Sequence, residues 1–304
     1  MNDAGMLEEL APHAEALFER HLATAREWFP HEFVPWGRGR DFTPGEQWCP
    51  EQCPLPSAVR SALFVNLLTE DNLPYYFHTI DNHFSGSEVF KAWDRRWTAE
   101  ENRHAIMLRD YLTVTRALDP VQLERARMAQ MCSAVVPEPD AVGDTLVYVA
   151  LQELATRISH RNTGKVMDDK VGSEVMNRIA ADENLHYLFY RDLVAVALEV
   201  APSDTVQAIE RQVRDFEMPG VGIVDFSRHA AAIARAGIYD FAIHHEQILV
   251  GVVMRRWKID TLTGLDAAGE AARDRVIDHI ERVGRIARRF VERRGEVMAA
   301  AAAG

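Results

Sequence analysis

Glu101-Asn-Arg-His104 and Glu183-Asn-Leu-His186 share one pattern, a glutamate three residues ahead of a histidine. On an α-helix, residues three apart lie on one face, so each pair aims a carboxylate and an imidazole at a common point. One Glu-x-x-His is weak, because surface helices are rich in glutamate. The repeat carries the signal. Glu70 precedes Glu101 by 31 residues, and Glu153 precedes Glu183 by 30. Each half therefore reads as a helix with one inward glutamate, followed by a helix with Glu-x-x-His. That is the ligand set of helical bundles that hold two metal ions between carboxylates. Mixed carboxylate and imidazole ligation suits iron or manganese better than calcium, which takes oxygen ligands, or structural zinc, which favours thiolates.

The flanking residues point to burial. Leu63, Leu67, Leu73 and Phe77 share a helical stripe with Glu70, and Leu146, Val149 and Ala150 lead into Glu153. An unpaired carboxylate on such a stripe costs several kcal/mol when buried, and four of them converging repel one another. Two divalent ions balance four negative charges. The competing reading leaves these acids solvated and paired with Arg103, Arg157 or Arg178; it has to produce two matching helix pairs by accident.

The elements that must position these residues are helical nearly throughout, with no strand alternation of useful length. Helices are expected over Leu7–Trp28, from Ser57 as an N-cap through Glu70 with a kink at Pro74, over Glu88–Leu118 capped by Ser87, and from Pro120 to a break at Val135–Pro139. Further helices are expected over Ala141–Asn162 (stopped by Gly164), Ser173–Val200 (halted by Pro202), Ser203–Phe216, Phe226–Trp257 and Asp266–Val297. Residues 1–298 are expected to form a single domain and 299–304 a frayed tail.

A composition with 47% hydrophobic and 26% charged residues supplies ample core. No run of about 18 apolar residues suggests a membrane span, and no basic-then-apolar start suggests a signal peptide, so the expected location is cytoplasmic. A net charge of −12 argues against global attraction to nucleic acid or anionic membrane. Of three cysteines, Cys49 and Cys53 sit in a Pro-flanked segment with no second Cys/His pair to complete a zinc site, and all three are expected as free thiols.

With these motifs in hand, the chain resembles the soluble acyl-acyl-carrier-protein desaturases of plastids and actinobacteria. Trp-Thr-Ala-Glu-Glu-Asn-Arg-His at 97–104 and Ile-Ala-Ala-Asp-Glu-Asn-Leu-His at 179–186 resemble that family's two Glu-x-x-His helices. Segments 68–74 and 152–163 resemble its single-glutamate helices, and Arg-Trp-Lys-Ile-Asp-Thr-Leu-Thr-Gly-Leu at 256–265 extends the similarity far from the site. The resemblance implies an all-α, ferritin-like bundle with a central four-helix di-iron core and flanking helices. It implies that Glu101 and Glu183 bridge two irons, with Glu70 and His104 completing one and Glu153 and His186 the other. Thr156 resembles a threonine near the oxygen site; its offset of three from Glu153 also points it to that face, although back-bonding to a helix carbonyl would serve equally. Asp182 and Trp28 resemble a chain from one ligand histidine toward the surface.

The implied activity is insertion of a cis double bond into an acyl chain borne by acyl carrier protein, using O2 and electrons from a ferredoxin-type donor, in a homodimer. Phe77, Ile80, Tyr187 and Tyr190 are candidate channel lining. Arg26, Arg38, Arg40, Arg211 and Arg214 are candidates for a basic patch that would meet the acidic carrier. Departures from the plant pattern are a short C-terminus and polar His78, Asp81 and His83. Two other classes remain open: a di-iron oxidase or oxygenase on another substrate, and a non-catalytic iron-binding relative.

Overall fold

The structure, a computed structural model, describes residues 1–134, 136–218 and 220–303, with side chains through Glu296. It is helical, and no strand occurs among the described residues. The helices are α1 (Asp3–Thr24), α2 (Pro30–Phe33), α3 (Ser57–Glu70), α4 (Leu73–His83), α5 (Glu88–Val114), α6 (Pro120–Ser133), α7 (Val142–Val166), α8 (Lys170–Val200), α9 (Pro202–Arg214), α10 (Phe226–Arg235), α11 (Phe241–Ile243) and α12 (Ala267–Ala303). A π-helical stretch, His244–Met254, continues α11. Among the described residues, no helix is long and apolar enough to cross a membrane.

Four helices carry the six candidate ligands: α3, α5, α7 and α8. Helix α7 is buried on nearly every side, which accounts for its largely apolar sequence and weak amphipathicity. It packs along α8, and the expected stop at Gly164 does not occur. A Cβ there would lie 3.1 Å from Met176 Cβ and 3.3 Å from the Ser173 carbonyl, so this glycine serves the close approach of the two helices rather than a terminus. Helix α8 begins at Lys170 because Asp169 caps it, its carboxylate accepting from the amides of Val171 and Gly172.

The other departures have local causes. Helix α1 ends at Thr24, before Trp28, which leaves the helix to pack against the bundle. Pro74 does not kink a continuous helix. The chain breaks at Asp71–Asn72, and the proline occupies the first turn of α4, where its missing N–H costs nothing. The single helix expected over Phe226–Trp257 divides. Gly237, at φ 70°, ends α10, and Asp240 then caps α11 through the amides of Ala242 and Ile243. The break expected from Val135 begins after Ser133, with Val135 itself outside the described residues. The backbone of 299–303, expected as a frayed tail, continues α12, and the side chains there and residue 304 lie outside those described. Cys49 and Cys132 are exposed and Cys53 buried, all as free thiols.

Candidate metal centre

Glu70 is the last residue of α3, whereas Glu101 and His104 lie midway along α5, Glu153 in α7, and Glu183 and His186 in α8. All six side chains are buried. They form two overlapping groups, Glu70/Glu101/His104/Glu183 and Glu101/Glu153/Glu183/His186, whose donor atoms lie within 4.8 Å of one another.

The carboxylates divide by role. Glu101 turns Oε2 to His104 Nδ1 (3.4 Å) and Oε1 to His186 Nδ1 (2.7 Å). Glu183 likewise turns Oε1 to His104 Nδ1 (3.6 Å) and Oε2 to His186 Nδ1 (3.9 Å). Of the two candidate ligand histidines, Glu70 faces His104 alone, at 3.9 Å, and Glu153 faces His186 alone, at 3.5 Å. Yet Nδ1 of both histidines, Glu101 Oε1 and Glu153 Oε2 make no hydrogen bond, although all are buried. Buried polar atoms are almost always satisfied, so this many orphans turned toward one point fits a pair of cations.

The electrostatics agree. Burial pushes Glu70 up to about 8 and Glu153 well above the carboxylate range, and the negative Glu101 and Glu183 add to both shifts. Burial acts the same way on Glu101 and Glu183, but their histidine neighbours outweigh it and hold both below their ordinary values. Burial opposes the charged forms of His104 and His186, yet Glu101 and the other surrounding carboxylates raise both well above 6.5. Without metal, the cluster balances its charge with protons, and two divalent ions would displace them.

Behind each ligand histidine stands a different acid. Trp28 Nε1 donates to Asp182 Oδ2 at 2.7 Å, and the same oxygen lies 3.6 Å from His104 Nε2. Arg103 and Arg178 both donate to Asp182 and cover the Trp28 ring. These two arginines therefore pair with an acid behind the centre, not with the six ligands. On the other side, Glu100 Oε2 lies 2.9 Å from His186 Nε2 and 2.9 Å from His21 Nε2, while Arg96 donates to Glu100 Oε1 at 2.6 Å. Burial would raise the Glu100 pKa, but the hydrogen bonds from His186 and His21 pull it far down.

Sequence reasoning passed over Glu100, His21, Trp97 and His160. The doubled glutamate at 100–101 was the visible sign of the first. Trp97 Nε1 donates to Glu153 Oε1 at 3.0 Å. His160 Nε2 lies 3.2 Å from Glu70 Oε1 and 3.5 Å from Glu183 Oε1. Thr156 back-bonds to its own helix. Its hydroxyl contacts the carbonyls of Gln152 (3.2 Å) and Glu153 (3.1 Å), and its side chain borders the cavities beside Glu70.

A cavity of about 90 Å³ touches Glu70, Thr156, Ser159 and His160. It shares Met218, Phe226, Ala230 and Tyr239 with a larger one of about 480 Å³, whose wall reaches exposed Phe241 and the side chains of Arg214 and His279. Phe77, Ile80, Tyr187 and Tyr190 border neither. Tyr190 packs against Trp93 in the α5–α8 core, Tyr187 stacks under Arg191, and Ile80 is core. The smaller of these two cavities lies between α3, α7 and α10. Four of the five arginines expected in a basic patch are engaged by acids: Arg38 by Asp169, Arg40 by Glu46, Arg211 by Asp144 and Arg214 by Glu210.

A helical bundle with two overlapping carboxylate–imidazole groups could hold metal ions, and comparison with known proteins gives the chain a family. The family model described as fatty acid desaturase matches residues 2–303, and the chain belongs to that family. It is 39% identical over 284 residues to the candidate acyl-(acyl-carrier-protein) desaturase DesA1 of Mycobacterium tuberculosis, covering 90% of this chain and 84% of that protein. It is 31% identical over 286 residues to the chloroplastic stearoyl-(acyl-carrier-protein) 9-desaturase of Ricinus communis, covering 86% and 70%. The crystal structure of the candidate desaturase DesA2 of Mycobacterium tuberculosis superposes with a TM-score of 0.69 at 30% identity, covering 85% of this chain and all of that one. The fold is ferritin-like.

Proposed function

We propose that this oxidoreductase is an acyl-acyl-carrier-protein desaturase holding two irons, one between Glu70 and His104 and the other between Glu153 and His186, with Glu101 and Glu183 shared. The observation that carries this reading is the division of oxygens: two carboxylates split between both imidazoles, and two face only one. The iron pair, when bound, supplies reduction of O2 and removal of hydrogen from an unactivated methylene. The chain's own residues do the rest. The two neighbouring cavities, with Met218, Phe226 and Tyr239 in the walls of both, would offer an acyl chain an apolar approach toward Glu70 and Thr156 that excludes water. Glu100 orients His186 through its far nitrogen, and Asp182 lies 3.6 Å from the far nitrogen of His104. Carrier protein delivering the chain, a ferredoxin-type donor and a homodimer belong to the same reading.

The test is incubation of iron-loaded protein with acyl carrier protein thioesters, reduced ferredoxin and O2, followed by mass spectrometry of the acyl group. Loss of two hydrogens is expected. Gain of one oxygen would identify an oxygenase instead, and no change with the centre demonstrably reduced would sink the enzymatic reading.

A further inference from the structure

The two terminal carboxylates are held alike. Glu153 gives Oε1 to the Trp97 indole N–H and leaves Oε2 facing His186. Glu70 gives Oε1 to His160 Nε2 and leaves Oε2 facing His104. In each half one oxygen is tied back and the other presented. The two donors differ in kind: an indole nitrogen always carries its hydrogen, whereas an imidazole nitrogen carries it in only one of two tautomers.

A chain of side chains sets that tautomer. Ser159 Oγ lies 3.3 Å from Asn66 Oδ1, so the hydroxyl donates to the amide oxygen and fixes the amide's orientation. Asn66 then turns Nδ2 to His160 Nδ1 at 3.3 Å. A nitrogen that accepts there leaves Nε2 as the hydrogen-bearing one, aimed at Glu70 and Glu183. Ser159, Asn66 and His160 are all buried.

We propose that His160 is a positioning residue for Glu70, the counterpart of Trp97 on Glu153, with its hydrogen placed by Asn66 and Ser159. Glu70 needs such a partner more than Glu153 does. It is the final residue of α3, next to the break at Asp71–Asn72, whereas Glu153 lies inside α7. It also borders the 90 Å³ cavity, so an untethered carboxylate has room to swing out. The proposal rests on the six residues being a metal site, and the tests separate the two ideas.

Metal-free crystal structures of His160→Phe and Trp97→Phe are compared with wild type. His160→Phe is expected to release Glu70 and leave Glu153 in place, and Trp97→Phe to do the reverse. His160→Gln, which keeps a donor, is expected to hold Glu70. Titration with ferrous iron is expected to show affinity falling about tenfold in His160→Phe and recovering in His160→Gln. If His160→Phe does not fold, His160→Leu is read the same way. A Glu70 carboxylate unmoved in the apolar variant, or an iron affinity within about twofold of wild type, overturns the proposal. Failure of the wild type to bind iron would overturn the metal reading instead, while the position of Glu70 in the variants still decides what His160 does.

Discussion

The two halves of the centre have the same ligands in mirrored order but different surroundings. Asp182, behind His104, gathers an indole and two guanidiniums, and Arg103, half-buried, brings it within one side chain of solvent. Glu100, behind His186, is shared between two imidazoles and ties α1 to α5 and α8 through His21. Both acids meet guanidiniums, Asp182 those of Arg103 and Arg178 and Glu100 that of Arg96, so the halves differ in the remaining partner, an indole for Asp182 and a second imidazole for Glu100. Identical candidate ligands thus do not have equivalent surroundings. The far nitrogen of each histidine distinguishes them, and tautomer and basicity are set there.

The largest expected break strikes what the halves share. Glu183→Ala should lower bound iron from two per chain to fewer than one by elemental analysis, because both sites lose an oxygen. His104→Ala and His186→Ala should each retain about one iron, since each touches one half. Equal loss in all three variants would mean that the halves are not separable.

Changing the acids behind the histidines should have a smaller effect that sharpens the contrast. Asp182→Asn and Glu100→Gln should each weaken iron binding by roughly 10- to 100-fold. Glu100→Gln should in addition destabilise the metal-free protein by about 1–3 kcal/mol in denaturant unfolding, because it disturbs hydrogen bonds to both His21 and His186. Asp182 keeps three other donors, so Asp182→Asn should cost less.

The smallest effect is graded and concerns protons. Burial raises Glu70 from 4.5 to about 8. The folded metal-free protein therefore binds more protons at Glu70 than the unfolded chain does between 4.5 and 8. That stability is fully present below the lower value and is lost as pH climbs through the upper one. Buried Asp94, pushed up to about 8, acts in the same sense. The thermal midpoint of metal-free protein should fall between pH 5 and 9, and iron loading should flatten the slope by replacing those protons. A midpoint rising over this range would contradict the assignment.

The buried cluster of six candidate ligands was legible because helix spacing is local: three residues fix a face, and two matched intervals fix two halves. Their supports were not. His21 reaches Glu100 across 79 residues, Trp28 reaches Asp182 across 154, and Asn66 meets His160 across 94. Nothing in periodicity distinguishes Trp97 from any core tryptophan. The channel candidates Phe77, Ile80, Tyr187 and Tyr190 carried little signal for the same reason, since such residues at helical spacing describe a core face as well as a void. The division of 226–257 was obscured by the apolar run Ile248–Val253, which suits an α-helix and a π-helix equally.

The end of α3 at Glu70 has a kinetic meaning. Five ligands sit inside helices whose amides can open only with the bundle. Glu70 alone lies where a helix stops, so its backbone belongs to the readily fraying class of sites. Amide hydrogen exchange should rank it accordingly, faster around residues 70–73 than around Glu153 or Glu183. Metal entry and exit would then proceed through this one corner, with the rest of the cage standing still.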